Sequence, residues 1–184
     1  MTAGDYKVFG RPLVGLSGIT RFSRRLKARQ ENVAEHSFYV AFIAMQLCQE
    51  YKVGEVESAL AIKYALCHDV PELILDDINH DVKRKYPQIK EILADEELRL
   101  LCELDGGTYG DLYHTHTSTE GSDGYVARLI VELADAHAVF LYIQAEGRLG
   151  NNYFMDINED TQFRINNCKT KLQEALTYGG KTDA

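Results

Sequence analysis

The sequence feature that most constrains the fold is a long apolar segment, residues 125–146, with the sequence YVARLIVELADAHAVFLYIQAE. Its apolar residues recur at helical spacing and do not alternate as they do in a strand, so the segment predicts one long helix. The same spacing predicts helices at residues 33–51, 56–67, 87–104 and 160–178. Because no segment shows strand-like alternation, the sequence predicts an all-α bundle of about six or seven helices.

Proline and glycine indicate where these helices are interrupted. The chain has three prolines, Pro12, Pro71 and Pro87. Pro71 fits poorly inside a helix, so a break or kink is predicted near Asp69. Pro87 suits the first turn of a helix. The polar stretch 107–122, rich in glycine and threonine, predicts a loop.

The composition limits the classes of partner. Of the 184 residues, 45% are hydrophobic and 26% are charged, so residues 1–184 are expected to form a single globular domain. The net charge of -8 argues against a nucleic-acid polymer as partner, because binding to a phosphate backbone needs a basic face. A small anionic substrate remains compatible, since a few basic groups inside a site can coexist with an acidic exterior.

Cysteine usage and hydropathy predict the cellular location. The four cysteines, Cys48, Cys67, Cys102 and Cys168, show no C-x-x-C spacing, so reduced and mostly buried thiols are expected. The N-terminal residues contain no apolar signal segment, and no run approaches the ~20 apolar residues of a membrane span. The sequence therefore predicts a cytoplasmic protein without a membrane partner.

The adjacent pair His68-Asp69 is the first candidate for chemistry, because it offers one nitrogen and one oxygen ligand to a divalent metal. Alone, the pair is more typical of charges at a helix end than of a metal site. His36 lies inside an otherwise apolar helix, and Asp135 lies in the middle of the most hydrophobic one. A buried carboxylate there requires a metal, an arginine or a histidine as partner. Glu72 follows the pair closely enough to reach a water at the same site.

These residues, taken in order, resemble the HD-domain metal-dependent phosphohydrolases, in which H…HD…D lie on successive helices. The closer resemblance is to the YfbR-like 5′-deoxynucleotidases and the related small phage deoxynucleotide triphosphohydrolases. The stretches that carry it are 21–24 (RFSR), 29–36 (RQENVAEH), 68–72 (HDVPE), 134–136 (ADA) and 150–154 (GNNYF). The ordered combination E-N-V-x-E-H-S, H-D-x-x-E and A-D-A is far more specific than any one motif.

The resemblance implies a role for each matching residue. The implied metal ligands are His36, His68, Asp69 and Asp135. Glu72 is implied as the catalytic carboxylate that handles protons around the attacking water, and Asp77 as a residue that positions this water or the sugar hydroxyl. Arg21 falls where the family binds the substrate phosphate, and Lys83 where a second cation can assist. Phe22 takes the place of an aromatic residue that crowds the sugar 2′ position.

The chain also departs from the family pattern. Phe22 replaces a tryptophan, which keeps a ring but loses an indole donor. Arg24 and Asp81 fall near the substrate base, where some relatives have apolar residues or proline, so base preference does not transfer. A merely solvated basic surface remains the alternative interpretation for Arg21, Arg24, Arg25 and Lys27, and for residues 83–85. Core packing is expected to explain Phe22 poorly.

The implied function is hydrolysis of the 5′-phosphate ester of deoxynucleotides, giving a deoxynucleoside and phosphate from a monophosphate. Release of triphosphate from a deoxynucleoside triphosphate is the alternative with the same ligand set, and a degenerate nucleotide-binding HD protein is a second. The mixed nitrogen and oxygen ligands suit Mn, Co, Fe, Ni or Zn. The resemblance further implies a homo-oligomer, either a dimer or a hexamer, of bacterial or phage origin.

Overall fold

The computed structural model describes residues 7–78, 80–104 and 123–179. Within these ranges the chain forms seven α-helices: α1 (Val33–Glu50), α2 (Glu55–Cys67), α3 (Glu72–Leu75), α4 (His80–Lys85), α5 (Pro87–Leu104), α6 (Asp123–Arg148) and α7 (Met155–Gly179). A short hairpin of β1 (Lys7–Val8) and β2 (Arg11–Pro12) and a 3₁₀ helix (Leu13–Gly18) precede them. The described helices include none long and apolar enough to cross a membrane.

The all-α prediction is confirmed, with small differences at the helix ends. The predicted bounds 87–104 are those of α5, and the break predicted by Pro71 separates α2 from α3. The last helix begins at Met155 and not at Asp160, because Gly150 adopts a φ of 81° and turns the chain directly after α6. The sequence did not predict the hairpin. The predicted loop 107–122 lies outside the described residues.

The core forms around α6, which packs against α1, α2 and α7. Contact with three helices explains why α6 is apolar around most of its circumference. Its fully buried residues include Ile130, Leu133 and Ala134, next to the candidate ligand Asp135. All four cysteines are free; Cys48 and Cys168 are buried, and the other two are half-buried.

The start of α1 is fixed by a capping box. Asn32 Oδ1 accepts a hydrogen bond from Glu35 N at 2.9 Å, and the Glu35 carboxylate accepts one from Asn32 N at 3.2 Å. An antiparallel bridge joins Asn32 to Thr20, and Arg21 N donates to Glu31 O at 3.0 Å. The segment that carries Arg21 is therefore tied to the first turn of α1.

The following segment, residues 21–29, is called the strap and is held against the end of α6. The buried Glu146 carboxylate accepts hydrogen bonds from the backbone N–H groups of Ala28 and Arg29, both at 2.8 Å, and from the Asn151 amide. The Tyr142 hydroxyl donates to Arg29 O at 2.6 Å. Burial raises the pKa of Glu146, but these hydrogen bonds outweigh it and hold the pKa below its ordinary value of 4.5.

We predict that Glu146→Gln lowers the free energy of unfolding by about 1–3 kcal/mol near neutral pH, because a neutral amide cannot accept both strap N–H groups as the carboxylate does. A depressed carboxyl pKa stabilises the fold above the unfolded-state pKa, and this contribution is lost as the pH falls through the folded-state pKa. Urea titrations of both proteins should therefore show the gap narrowing below about pH 4.5. If the difference in the free energy of unfolding between the two proteins stayed constant down to acid pH, the proposed role of the Glu146 charge would be contradicted.

Candidate functional site

Three of the sequence-predicted ligands converge at one point. His36 projects from α1, whereas His68 and Asp69 lie in the turn that follows α2. Asp69 Oδ2 is 3.6 Å from His36 Nε2, and Asp69 Oδ1 is 3.3 Å from His68 Nε2. The three residues offer ligand atoms that all lie within 4.8 Å of one another. One carboxylate thus faces two imidazole nitrogens.

Asp135, the fourth predicted ligand, adjoins this group through His36 and is not part of the closest set. Its Oδ1 lies 3.0 Å from His36 Nε2, and its Oδ2 accepts a hydrogen bond from Arg164 on α7 at 2.7 Å. Burial opposes its ionisation, but Arg164 and His36 outweigh this and hold the pKa of Asp135 well below its ordinary value. The partners expected for a buried carboxylate are therefore present as an arginine and a histidine.

The orientation of the His68 ring leaves the lone pair of its Nε2 available to a metal. His68 Nδ1 lies 2.7 Å from Ala65 O, so the ring donates there and directs Nε2 toward Asp69. His68 Nε2 and one Glu72 oxygen, Oε2, are buried without a hydrogen-bond partner. Unpartnered buried polar atoms beside a carboxylate fit a borderline divalent cation, for which nitrogen and oxygen form a suitable donor set.

Glu72 lies at the start of α3, where its N–H donates to Asp69 O at 3.1 Å. Burial and the negative charge of Asp69 raise the pKa of Glu72 to about 9, although Arg21 and Lys83 act in the opposite direction. The carboxyl is thus adjacent to the cluster and retains a proton at neutral pH in the metal-free protein. This combination suits a group that exchanges protons at the site.

Arg21 lies inside the site and is not a solvated basic residue. Its Nη1 donates to Asp69 Oδ2 at 2.9 Å, and its side chain is 12% exposed. Burial lowers the pKa of Arg21, but the charges of Asp69 and Asp135 outweigh it and raise the pKa further above its ordinary value. The guanidinium therefore remains a permanent positive charge beside the ligand cluster.

The other strap cations differ from one another. Arg25 pairs with Asp156, at 2.7 Å, and Lys27 Nζ donates to the carbonyls of Arg21 and Phe22, at 2.6 and 3.2 Å. The interpretation as a merely solvated basic surface is therefore wrong for Arg25 and Lys27, as it is for Arg21. Arg24 is exposed, as that alternative expects.

Phe22 packs against other aromatic residues, contrary to the expectation from sequence. Its ring stacks on Tyr142 with centroids 5.1 Å apart and meets Phe154 edge-on at 5.3 Å. The backbone of Phe22 has a φ of 52°, an unfavourable region for a residue with a side chain. Asp77 Oδ2 accepts a hydrogen bond from Phe22 N at 3.1 Å, so Asp77 holds this conformation.

The remaining predicted residues lie farther from the ligand cluster or outside the description. Lys83 pairs with Glu97 at 3.6 Å, on α5, while its charge still influences Glu72. The side chain of Asp81 lies outside the described residues. The sequence did not predict a role for Glu31, Arg164 or Glu146. In the structure, Glu31 and Glu146 are both buried carboxylates. The signal for Glu31 was its place directly before the helix cap of α1.

A cavity of about 870 Å³ among the described residues is separate from this cluster. It is an apolar groove lined by residues such as Leu13, Val14, Phe38 and Leu104, and none of the ligand residues contributes to it. Its chemistry does not match the charged cluster, so the candidate site is assigned from the converging polar groups.

Comparison with solved structures identifies the class of fold. An HD-domain phosphohydrolase from Listeria innocua superposes with a TM-score of 0.66 at 26% identity, covering 93% of this chain and 83% of that one. The HD phosphohydrolase of cyanophage S-2L, solved with dA and one catalytic Zn²⁺ ion, gives 0.63 at 19% identity and covers 90% of both chains. The chain has the HD phosphohydrolase fold.

Sequence comparison then gives the family. The family model described as 5′-deoxynucleotidase YfbR-like matches residues 9–178, so the chain belongs to this family. A Photorhabdus temperata 5′-deoxynucleotidase is 31% identical over 148 residues, which are 74% of this chain and 72% of that protein. A dATP triphosphohydrolase of Salmonella phage PMBT28 is 29% identical over 158 residues, or 81% and 74% of the two chains.

The strap geometry predicts that Lys27→Met destabilises the protein, because the carbonyls of Arg21 and Phe22 lose a charged donor. Such hydrogen bonds contribute about 1.5–3 kcal/mol when shielded from water, and the partial exposure of Lys27 places the expected loss near 1–2 kcal/mol. Chemical denaturation measures this loss. Lys63→Met, at an exposed position on α2, is the matched control and should change the free energy of unfolding little. Equal effects of the two substitutions would contradict the role of Lys27.

Proposed function

We propose that this chain is a metal-dependent 5′-deoxynucleotidase that hydrolyses deoxynucleoside monophosphates to deoxynucleosides and phosphate. The observation that carries the proposal is the convergence of His36, His68 and Asp69 beside the half-buried Glu72 and Arg21. Membership of the YfbR-like family supplies the reaction class. The curated relatives, including the Photorhabdus temperata protein, support a monophosphate substrate.

The metal would be held by His36, His68 and Asp69, with Asp135 as the fourth ligand. When bound, a divalent ion lowers the pKa of water toward neutrality and polarises a phosphoryl oxygen. The mixed donor set favours Mn, Co, Fe, Ni or Zn over Mg. The single catalytic zinc of the cyanophage protein, which has the same fold, supports a transition metal here.

Side chains of the protein would bind the phosphate, transfer the proton and position the sugar. Arg21 presents a guanidinium to the phosphate, whose fork geometry matches phosphate oxygens, and so neutralises negative charge in the transition state. Glu72 holds and returns a proton at the ester that is cleaved. Asp77 fixes the backbone of Phe22, and we place the sugar beside the Phe22 ring, which also contacts Tyr142, Phe154 and Arg21.

The rival reaction, release of triphosphate, requires positive charge beyond the first phosphate. The sequence offered Arg24, Arg25, Lys27, Lys83 and Lys85 for this purpose. In the structure, Arg25, Lys27 and Lys83 are engaged with Asp156, strap carbonyls and Glu97. Because these cations are already paired, they are less available to bind phosphates beyond the first, which favours the monophosphate reaction. The phage relative supports the triphosphate reaction. The complete ligand set and Glu72 speak against a degenerate binding protein.

A homo-oligomer also forms part of the proposal. Phe38, Phe42 and Met45 form an exposed apolar stripe on one face of α1, with Phe42 49% exposed. Apolar stripes of this kind are typical of surfaces that are covered in an assembly. Measuring the mass of the purified protein in solution would distinguish a dimer from a hexamer.

The proposed location is the cytoplasm of a bacterial cell, or of the host cell if the chain is phage-encoded. All four cysteines are free, as is usual in a reducing compartment. The proposed substrate, a small deoxynucleotide, belongs to the same compartment.

Replacing the ligands one at a time tests the metal assignment. We predict that His36→Ala, His68→Ala, Asp69→Ala and Asp135→Ala each deplete bound metal and abolish hydrolysis, because each removes a donor atom. Glu72→Gln is the matched variant: it should retain metal and lose about 10²–10⁴-fold in kcat, since its task is proton transfer. Elemental analysis of the purified proteins measures the bound metal, and a hydrolysis assay measures kcat. Full metal occupancy in Asp135→Ala would refute that ligand.

Sugar discrimination tests the substrate assignment. We predict at least ~10-fold higher kcat/KM for a deoxynucleotide than for the ribonucleotide of the same base, because a 2′-hydroxyl against the Phe22 ring would lack a hydrogen-bond partner, at a cost of about 1–3 kcal/mol. Phe22→Ala should narrow this ratio, and Phe22→Leu should retain more of it by preserving bulk. Arg21→Ala should weaken both substrates alike. Equal values for the two sugars in the unsubstituted protein would contradict the deoxynucleotide assignment.

A further inference from the structure

The buried carboxylate of Glu31 lies behind the ligand cluster and has no part in the proposed chemistry. Its side chain is 4% exposed, and Oε2 lies 3.7 Å from Arg21 Nε and 3.9 Å from His36 Nδ1. All three atoms are buried and lack a hydrogen-bond partner in the structure. Buried polar atoms are ordinarily hydrogen-bonded, so three that face one another indicate a contact that forms in another state of the site.

The local sequence accounts for this placement. Asn32 is the N-cap of α1, so Glu31 directly precedes the cap and His36 is the fourth residue of the helix. Side chains at these two positions commonly pack against each other, usually as an apolar pair. Here the pair is a carboxylate and an imidazole. The hydrogen bond from Arg21 N to Glu31 O, at 3.0 Å, brings the third member beside them.

His36 needs an acceptor at Nδ1 once Nε2 is used by a metal. A neutral imidazole carries one ring proton, so a metal at Nε2 places that proton on Nδ1. His68 meets this requirement with a backbone acceptor, Ala65 O, at 2.7 Å. Within the described part of the chain, the carboxylate that approaches His36 Nδ1 is Glu31, at 3.9 Å.

We propose that Glu31 is a positioning residue for the metal centre: it accepts the Nδ1–H of His36 when Nε2 binds metal, and it faces Arg21 with the same oxygen. The inference rests on the proposed function, because it takes His36 as a metal ligand. Histidines that bind metals generally donate their second N–H to a carboxylate or carbonyl, and that partner fixes the ring orientation and tautomer. Glu31 thereby links the metal centre to the phosphate-binding arginine.

The test is the affinity for Zn²⁺, measured by competition with a chromogenic chelator. Loss of such a partner lowers metal affinity about 10–100-fold, and this is the expected result for Glu31→Leu. Glu31→Gln should lose less, because its amide oxygen still accepts a hydrogen bond but carries no charge. Glu50→Gln, an exposed carboxylate at the end of the same helix, is the matched control and should bind zinc as the unsubstituted protein does.

A second readout separates positioning from a purely structural role. NMR of the ring nitrogens of zinc-loaded protein should show His36 protonated at Nδ1, with slow exchange of that proton in the unsubstituted protein. In Glu31→Leu the proton should exchange faster, because the acceptor is gone. A substitution that merely loosened the fold would also speed exchange of the His68 Nδ1 proton, whose acceptor is Ala65 O, so a change confined to His36 indicates positioning.

His36→Ala distinguishes failure of this inference from failure of the proposed function. If the unsubstituted protein binds no zinc, or if His36→Ala binds it equally well, the ligand assignment is wrong and this inference falls with it. If His36→Ala loses zinc while both Glu31 variants keep normal affinity and ring signature, the inference about Glu31 alone is overturned. If Glu31→Leu does not fold, Glu31→Gln decides: weaker zinc binding supports the inference, and unchanged binding refutes it.

Discussion

The arrangement of the site depends on the half-buried carboxylate of Asp69. It accepts a hydrogen bond from Arg21 and faces both His36 and His68, so three segments distant in sequence meet at its two oxygens. Burial raises the pKa of Asp69, but the neighbouring His68, Arg21 and His36 outweigh it and keep the pKa below the ordinary value. A carboxylate held in its charged form away from water is costly unless cations or donors surround it.

The same requirement explains the position of the strap. Arg21 reaches Asp69 only because the strap is anchored at both ends, by the bridge from Thr20 to Asn32 and by the Glu146 carboxylate at residues 28–29. Between these anchors Phe22 adopts a positive φ, held by Asp77 and by its ring contacts. Contacts to α6 and to the segment after α3 thus offset the backbone strain at Phe22. The same contacts fix Arg21 beside the ligand cluster.

The helical fold and the centre of the site followed from the sequence for physical reasons. Apolar spacing specifies helices directly, and the cost of burying Asp135 in the most apolar helix predicted that a partner must meet it, whereas the ligand roles of His36, His68 and Asp69 came from the family resemblance. Arg164, the partner of Asp135, could not be predicted, because side-chain pairing between distant segments has no local periodicity; Glu31 had a local signal, its place directly before the cap of α1, which was not used. The packing of Phe22 against Tyr142 and Phe154 was missed for the same reason.

The identity of the reaction products distinguishes a 5′-deoxynucleotidase from a triphosphohydrolase. Metal-loaded protein would be incubated with deoxynucleoside monophosphates and triphosphates of all four bases, and the products separated and identified. We expect deoxynucleoside and inorganic phosphate from the monophosphates, with no product after chelation of the metal. Release of intact triphosphate from triphosphates, with monophosphates left uncleaved, would contradict it.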